Sequence, residues 1–255
     1  NALHLLLRIV DDFLLISTDK NASIRFLEKL NGGIPSLGVK VNKDKTRVNY
    51  SAPFELACHN RCRSFFPWCG LLINTATCEI TLDYERFHGQ KAIDTISVHR
   101  LGSEGMNIRK AMKGFVRPRC NQQLLFSSRI NNIDSVRLNF YQTVLLCAIK
   151  TTHYIESIDI AFSSKKQSTF FYDSVCDTIQ YTFLLISLKL KNDFVLCWED
   201  ALWLGKHAFS SVLKTKAQRH ECLADLFSET RDVQYLKRAI LVSITKRAKV
   251  KFNLT

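Results

Sequence analysis

The sequence predicts an α+β fold in which antiparallel hairpins and a single helix come first and an all-α domain follows. Three observations carry that prediction. Apolar residues recur with a period near two as far as Asp83-Tyr84 and with helical spacing beyond it. An amphipathic helical stretch interrupts the strands near Asp19–Asn31, which implies an α/β layer. Only 9 Gly and 4 Pro occur in 255 residues that are 46% hydrophobic and 23% charged, a well-packed composition rather than a disordered one. A chain of this length holds one or two domains, and the change of period sets the boundary between residues 83 and 84.

The elements follow in order. Leu3-His4-Leu5-Leu6-Leu7-Arg8-Ile9-Val10 and Phe13-Leu14-Leu15-Ile16 read as two strands joined by a tight turn at Asp11-Asp12, with flanks too apolar to be solvent-exposed. The usual Asn-Gly or Asp-Gly signal is missing there, and adjacent like charges repel unless a cation sits between them. Ile24, Phe26, Leu27 and Leu30 mark the helix, with Thr18 or Asp19 near its start and Gly32-Gly33 closing it. Val39–Tyr50 alternates as a strand pair bent near Lys43-Asp44-Lys45. A polar loop over 51–64 leads to a strand at Phe65–Ile73, and Asn74-Thr75-Ala76-Thr77 turns the chain into Cys78–Leu82, a second hairpin. Helices are expected at 104–116, stopped by Pro118, and at 133–155, 169–190, 196–214 and 231–248. Their apolar residues Leu145, Leu146, Ile149, Phe183, Leu184, Ile186, Trp198, Leu202, Trp203 and Leu204 are expected to form the core.

Lys and Arg number 36 against 23 Asp and Glu, a net charge of +13 with a pI near 9.4, so a polyanion is the natural partner. Nucleic acid is favoured over a membrane face. No apolar run is long enough to span a bilayer, and the opening segment, broken by His4 and Arg8 and followed by two aspartates, is unlike a signal peptide. Nine scattered cysteines without a Cys-x-x-Cys pair argue against a disulfide framework and for a reducing compartment. Cys58-His59-x-x-Cys62 lacks a second ligand pair and reads as ordinary loop residues rather than a zinc site. With no initiator Met and a strand pattern already under way, the chain reads as a fragment.

Two carboxylates on a hairpin between apolar strands form a pair of hard oxygen ligands. Mg²⁺ suits such a pair, because it takes one or two carboxylates, water and substrate phosphates. In two-metal phosphoryl transfer, ions roughly 3.5–4 Å apart activate the attacking hydroxyl and stabilise the leaving oxygen. The string Leu7-Arg8-Ile9-Val10-Asp11-Asp12-Phe13-Leu14-Leu15-Ile16 resembles the aspartate hairpin of reverse transcriptase palms, and of telomerase catalytic subunits in particular. Gly38-Val39-Lys40-Val41-Asn42-Lys43-Asp44-Lys45-Thr46 resembles the family's next motif, whose lysine, here Lys45, is implicated in protonating the departing pyrophosphate. Phe66-Pro67-Trp68-Cys69-Gly70-Leu71-Leu72 resembles the telomerase primer grip and is the most specific string in the chain; Gly70 permits close approach of a sugar-phosphate backbone. Val98-His99-Arg100-Leu101-Gly102-Ser103-Glu104-Gly105-Met106-Asn107-Ile108-Arg109-Lys110 resembles the thumb loop and the start of the thumb helix.

The resemblance implies that residues 1–83 are the distal part of a reverse-transcriptase palm and 84–255 a helical thumb, or C-terminal extension. Asp11 and Asp12 would then be catalytic metal ligands for a two-ion Mg²⁺ site, completed by an aspartate outside this chain. Val10 would touch the primer end or the incoming nucleotide, and Trp68, Cys69, Gly70 and Leu71 would hold the primer terminus. Arg100, Asn107, Arg109 and Lys110 become phosphate-contact candidates, and the basic tail with Lys237, Arg238, Lys246, Arg247, Lys249 and Lys251 is a further nucleic-acid candidate. The implied partners are a telomerase RNA template, a telomeric DNA primer, deoxynucleoside triphosphates and the remaining palm, fingers and RNA-binding domains of the same protein, at chromosome ends in the nucleus. The chain alone is expected to be inactive. Two other readings stand beside this one: a reverse transcriptase of a mobile element or intron, and a nonenzymatic nucleic-acid-binding module.

Overall fold

A computed structural model describes residues 2–38, 40–51, 60–62, 64–84, 89, 91–99, 101–160, 162, 164–215 and 235–247. The chain divides into two compact units, Asn1–Asp83 and Tyr84–Thr255. The first is α+β and the second helical, the order of fold classes that the hydrophobic periods predict.

In the first unit β1 (His4–Ile9) and β2 (Asp12–Ser17) pair antiparallel, from His4 opposite Ser17 to Ile9 opposite Asp12. The loop is therefore Val10-Asp11 and not the expected Asp11-Asp12. In this register His4 Nδ1 and Ser17 Oγ lie 2.8 Å apart, and Arg8 Nε donates to the loop carbonyl of Val10 at 2.7 Å. It also divides the two carboxylates between a loop and a strand. The expectation that these strands are buried fails: Leu5, Leu6, Ile9, Phe13 and Ile16 are exposed. A two-stranded ribbon has two faces, and the helix α1 (Lys20–Gly32), which packs on β2, covers only part of one, burying Leu14 and Leu27. Asp19 caps α1 by accepting from Asn21 N at 2.8 Å, and Gly33 ends it with φ 63°.

The expected strand pair over 39–50 is replaced by a turn. Asn42 Oδ1 accepts from the backbone of Asp44 at 2.9 Å and of Lys45 at 3.3 Å, a local bond that competes with a ladder. Among the described residues of this stretch, Arg47–Val48 form the one strand, β3, in parallel with β4 (Asn60–Arg61), and Val39 lies outside the described residues. The run Phe65–Ile73, expected as one strand, folds back on itself as β5 (Phe65–Trp68) and β6 (Leu71–Asn74). The cause is Cys69-Gly70, with φ 50° and 79°: positive φ at both loop positions is the type I′ arrangement that matches strand twist. The hairpin with β7 (Ile80–Leu82) forms as expected and pairs Leu71 with Leu82 and Ile73 with Ile80. Those four residues and Trp68 are buried and make this sheet's core.

The second unit is built on α3 (Ile133–Ser157), buried nearly all round by α2 (Glu104–Cys120), α5 (Trp198–Thr215) and α6 (Tyr235–Lys246). Fully buried Phe126, Phe140, Tyr154, Phe171 and Phe209 fill the interior. α2 runs through Pro118 instead of stopping before it. So near the end of the helix the ring forfeits one backbone bond, while Val116 and Cys120 stay buried on the inner face. α4 (Lys165–Leu190) begins four residues before the expected start, because Ser164 and Gln167 form a capping box. Its inner face is Phe171, Val175, Ile179, Thr182 and Ile186, so Leu184, expected in the core, is exposed on the opposite side. α4 and α5 approach closely at Gly205, where an added Cβ would lie 2.6 Å from Ile179. Between α3 and α5, Arg137 Nη2 donates to Asp200 Oδ2 at 2.8 Å and Arg137 Nε to the same oxygen at 3.1 Å, the aspartate being 1% exposed.

Candidate functional site

The strand unit brings two of the sequence-predicted strings together at their turns. Val10 stands in the β1–β2 loop with φ 55°, a left-handed conformation that a β-branched residue rarely adopts, and it is 80% exposed. Asp11 completes that loop, and Asp12 opens β2; both are exposed. Across from them, the Cys69 thiol of the β5–β6 turn donates to Asp12 Oδ2 at 3.5 Å, joining residues 57 positions apart. The four grip residues separate by burial: Trp68 and Leu71 are paired and buried in the sheet, whereas Cys69 and Gly70 form the half-exposed tip. Trp68 and Leu71 anchor the turn, and the tip is what a ligand could touch.

Exposed oxygen ligands on a fixed hairpin fit a hard cation such as Mg²⁺, and Asp11 and Asp12 are the residues here that could hold one. Among the described residues no group of three or more His, Cys, Asp or Glu forms a self-sufficient cage. That donor set suits an ion shared with phosphates and further ligands, not a structural metal. Cys58 and His59 of the weighed zinc cluster lie outside the described residues, and Cys62 is buried. Lys45 is exposed on the separate 43–45 turn.

In the helical unit the predicted phosphate contacts have different surroundings. Asn107 Nδ2 donates to the carbonyls of Leu101 at 2.9 Å and His99 at 3.2 Å, so its side chain braces the loop before α2. Arg109 lies over the Phe170 ring, 4.7 Å from its centroid, with Nε donating to Ser174 Oγ at 3.1 Å and Nη2 3.9 Å from Asp177. Both positions belong as much to the packing of the unit as to its surface. Lys110 is exposed, and Arg100 lies outside the described residues. Lys246 and Arg247 of the basic tail are exposed; Lys249, Lys251 and the side chains of Lys237 and Arg238 lie outside the described residues. A cavity of about 350 Å³ beside the loop is lined by His99, Asn107, Tyr154 and Ser157 together with Glu104 and Asp159, two carboxylates that disfavour a phosphate there.

The motif reading passed over two cations. Lys113 Nζ lies 5.4 Å from the centroid of the Tyr181 ring, and Arg117 Nε donates to the Tyr181 hydroxyl at 3.1 Å. With Lys110 they recur at i, i+3 and i+7, which places three cations along one stripe of α2. That spacing was the available signal. Among the described residues no helix is long and apolar enough to cross a membrane.

Comparison with known proteins converges on one family. Residues 106–227, within the helical unit, match the family model described as telomerase reverse transcriptase, C-terminal extension. A telomerase reverse transcriptase of Arabidopsis thaliana is 30% identical over 238 residues, covering 86% of this chain and 21% of the relative. Those of Oryza sativa subsp. japonica and Canis lupus familiaris are each 30% identical, covering 88% and 86% of this chain and 19% and 20% of the relatives. The chain thus spans about a fifth of the length of the curated relatives it matches.

Proposed function

Because this chain belongs to the telomerase reverse transcriptase family, as a C-terminal region of it, we propose that it supplies the distal palm and the thumb of an RNA-directed DNA polymerase. The whole protein would extend a telomeric DNA primer with deoxynucleotides, copying a bound RNA at chromosome ends in the nucleus. The observation that carries the reading is the contact between the two turns, since Cys69 of the grip string meets Asp12 of the carboxylate pair at 3.5 Å. A primer terminus seated on the Cys69-Gly70 tip would lie beside the carboxylates, as polymerisation requires.

Asp11 and Asp12 would hold Mg²⁺ in this proposal, and the metal would supply charge stabilisation to the transferring phosphoryl group. Gly70, lacking a side chain, lets the primer backbone approach the tip. Val10, immediately before the carboxylates and exposed, would touch the primer end or the incoming nucleotide. Lys45 offers a cation, and a proton, to the leaving pyrophosphate. In the thumb, Lys110, Lys113 and Arg117 contact duplex phosphates without reading sequence, and α2 gives them a rigid frame.

Asp11→Ala in the full-length protein assembled with its RNA tests this. Primer extension in Mg²⁺ is expected to fall by at least about a hundredfold, because charge stabilisation of this kind amounts to several kcal/mol. Extension at the wild-type rate would remove the catalytic reading.

A further inference from the structure

We infer that Cys69 is a positioning residue, whose thiol orients the Asp12 carboxylate for cation binding. The inference rests on the proposed role of Asp12 as a metal ligand and adds a residue that acts through it. Cys69 occupies a loop position with φ 50°, where Asn, Asp or Gly is the ordinary choice, so the turn itself does not account for a cysteine. Its neighbours explain how the sulfur is held: Trp68 and Leu71 are buried and paired, which fixes the backbone on either side of the tip. From there the thiol donates to Oδ2 of Asp12.

The chemistry of the donor matters. A Lys or Arg at this place would neutralise the carboxylate and compete with a metal ion. A neutral S–H donor is weak; it fixes one oxygen and leaves the negative charge intact. Oδ1 of the same carboxylate keeps its capacity for an ion. Asp12 is further held by its place in β2 opposite Ile9, so backbone and side chain are both set before an ion arrives.

The test uses the full-length protein assembled with its RNA and follows primer extension as a function of Mg²⁺ and of primer concentration. Cys69→Ala is expected to raise the Mg²⁺ concentration at half-maximal rate by about three- to tenfold, the range of one modest hydrogen bond, at saturating primer and whatever the change in primer KM at the same tip. Cys69→Ser, which keeps a donor, should return most of the shift. An unchanged Mg²⁺ requirement in Cys69→Ala, or a rise in primer KM alone, overturns the inference. If Cys69→Ala fails to fold, Cys69→Gly, which suits φ 50° and also lacks a donor, decides: a raised Mg²⁺ requirement supports the inference and an unchanged one overturns it. Asp12→Ala run beside them separates the two levels. Wild-type extension by Asp12→Ala means that the metal-ligand reading itself has failed. Inactive Asp12→Ala with an unshifted Cys69→Ala means that only the positioning role has.

Discussion

In the helical unit Phe126, Phe140, Tyr154, Phe171 and Phe209 are fully buried, whereas in the strand unit Leu5, Leu6, Ile9 and Phe13 stand exposed on a two-stranded ribbon. Apolar area removed from water is the main source of stability, so the helical unit carries most of what holds this chain folded. The strand unit carries the carboxylates and the grip. Stability and proposed chemistry are thus housed separately, and a substitution should disturb mainly one or the other.

The sharpest way to break that comparison is at Asp200. Its carboxylate is buried between α3 and α5 against Arg137, and Asp200→Ala leaves the guanidinium without its principal partner. A loss of about 3–5 kcal/mol is expected, read from urea unfolding by the fluorescence of Trp198 and Trp203. Replacing both members, as in Arg137→Met with Asp200→Leu, should recover most of it. A loss below about 1 kcal/mol in Asp200→Ala would mean that the helical unit does not set the stability of the chain.

Cysteines give a second, smaller contrast. Burial pushes the Cys147 thiol up to about 12, and Thr151, which hydrogen-bonds to it, pulls the other way; burial does the same to Cys120, also to about 12, against the charge of Lys189. Both are raised above an unfolded value of 9.0, so their contribution to stability is complete below pH 9 and is lost as the pH rises towards 12. The slope is about 1.4 kcal/mol per pH unit for each thiol, and Cys147→Ala should remove one thiol's share of it in unfolding measured from pH 9 to 11. Lys150, lowered by burial and by Arg119, contributes with the opposite sign, which is why the difference between variants is the useful quantity. At pH 8 the exposed Cys78 should react with a maleimide at once, and Cys147 and Cys120 only on unfolding.

The smallest effect belongs to the ribbon. Leu5→Ser or Leu6→Ser should move the urea midpoint by no more than about 0.5 kcal/mol equivalent, since both residues are already half in water. A loss above about 2 kcal/mol would show a cooperative core reaching into the strand unit.

The helical fold was legible because its signal is long and redundant. A buried stripe such as Phe171, Val175, Ile179, Thr182 and Ile186 repeats over many turns, and an error at one position, as at Leu184, leaves the helix intact. The strand unit depends on single dihedrals. Cys69-Gly70 reverses the chain within a run that reads as one strand, and Asn42 folds its neighbours into a turn where alternation suggested a ladder. At the candidate site the residue types were legible and their company was not. Nothing in the string around Arg109 says that Phe170 and Ser174, more than sixty positions on, will hold it, and only the fold brings Cys69 to Asp12.

Val10 has a consequence for anyone who would engineer this molecule. A valine held at φ 55° costs about 1–2 kcal/mol that a glycine would not incur. Libraries ranked by heat tolerance will therefore enrich glycine at position 10, and their winners will have discarded the side chain that precedes the carboxylates.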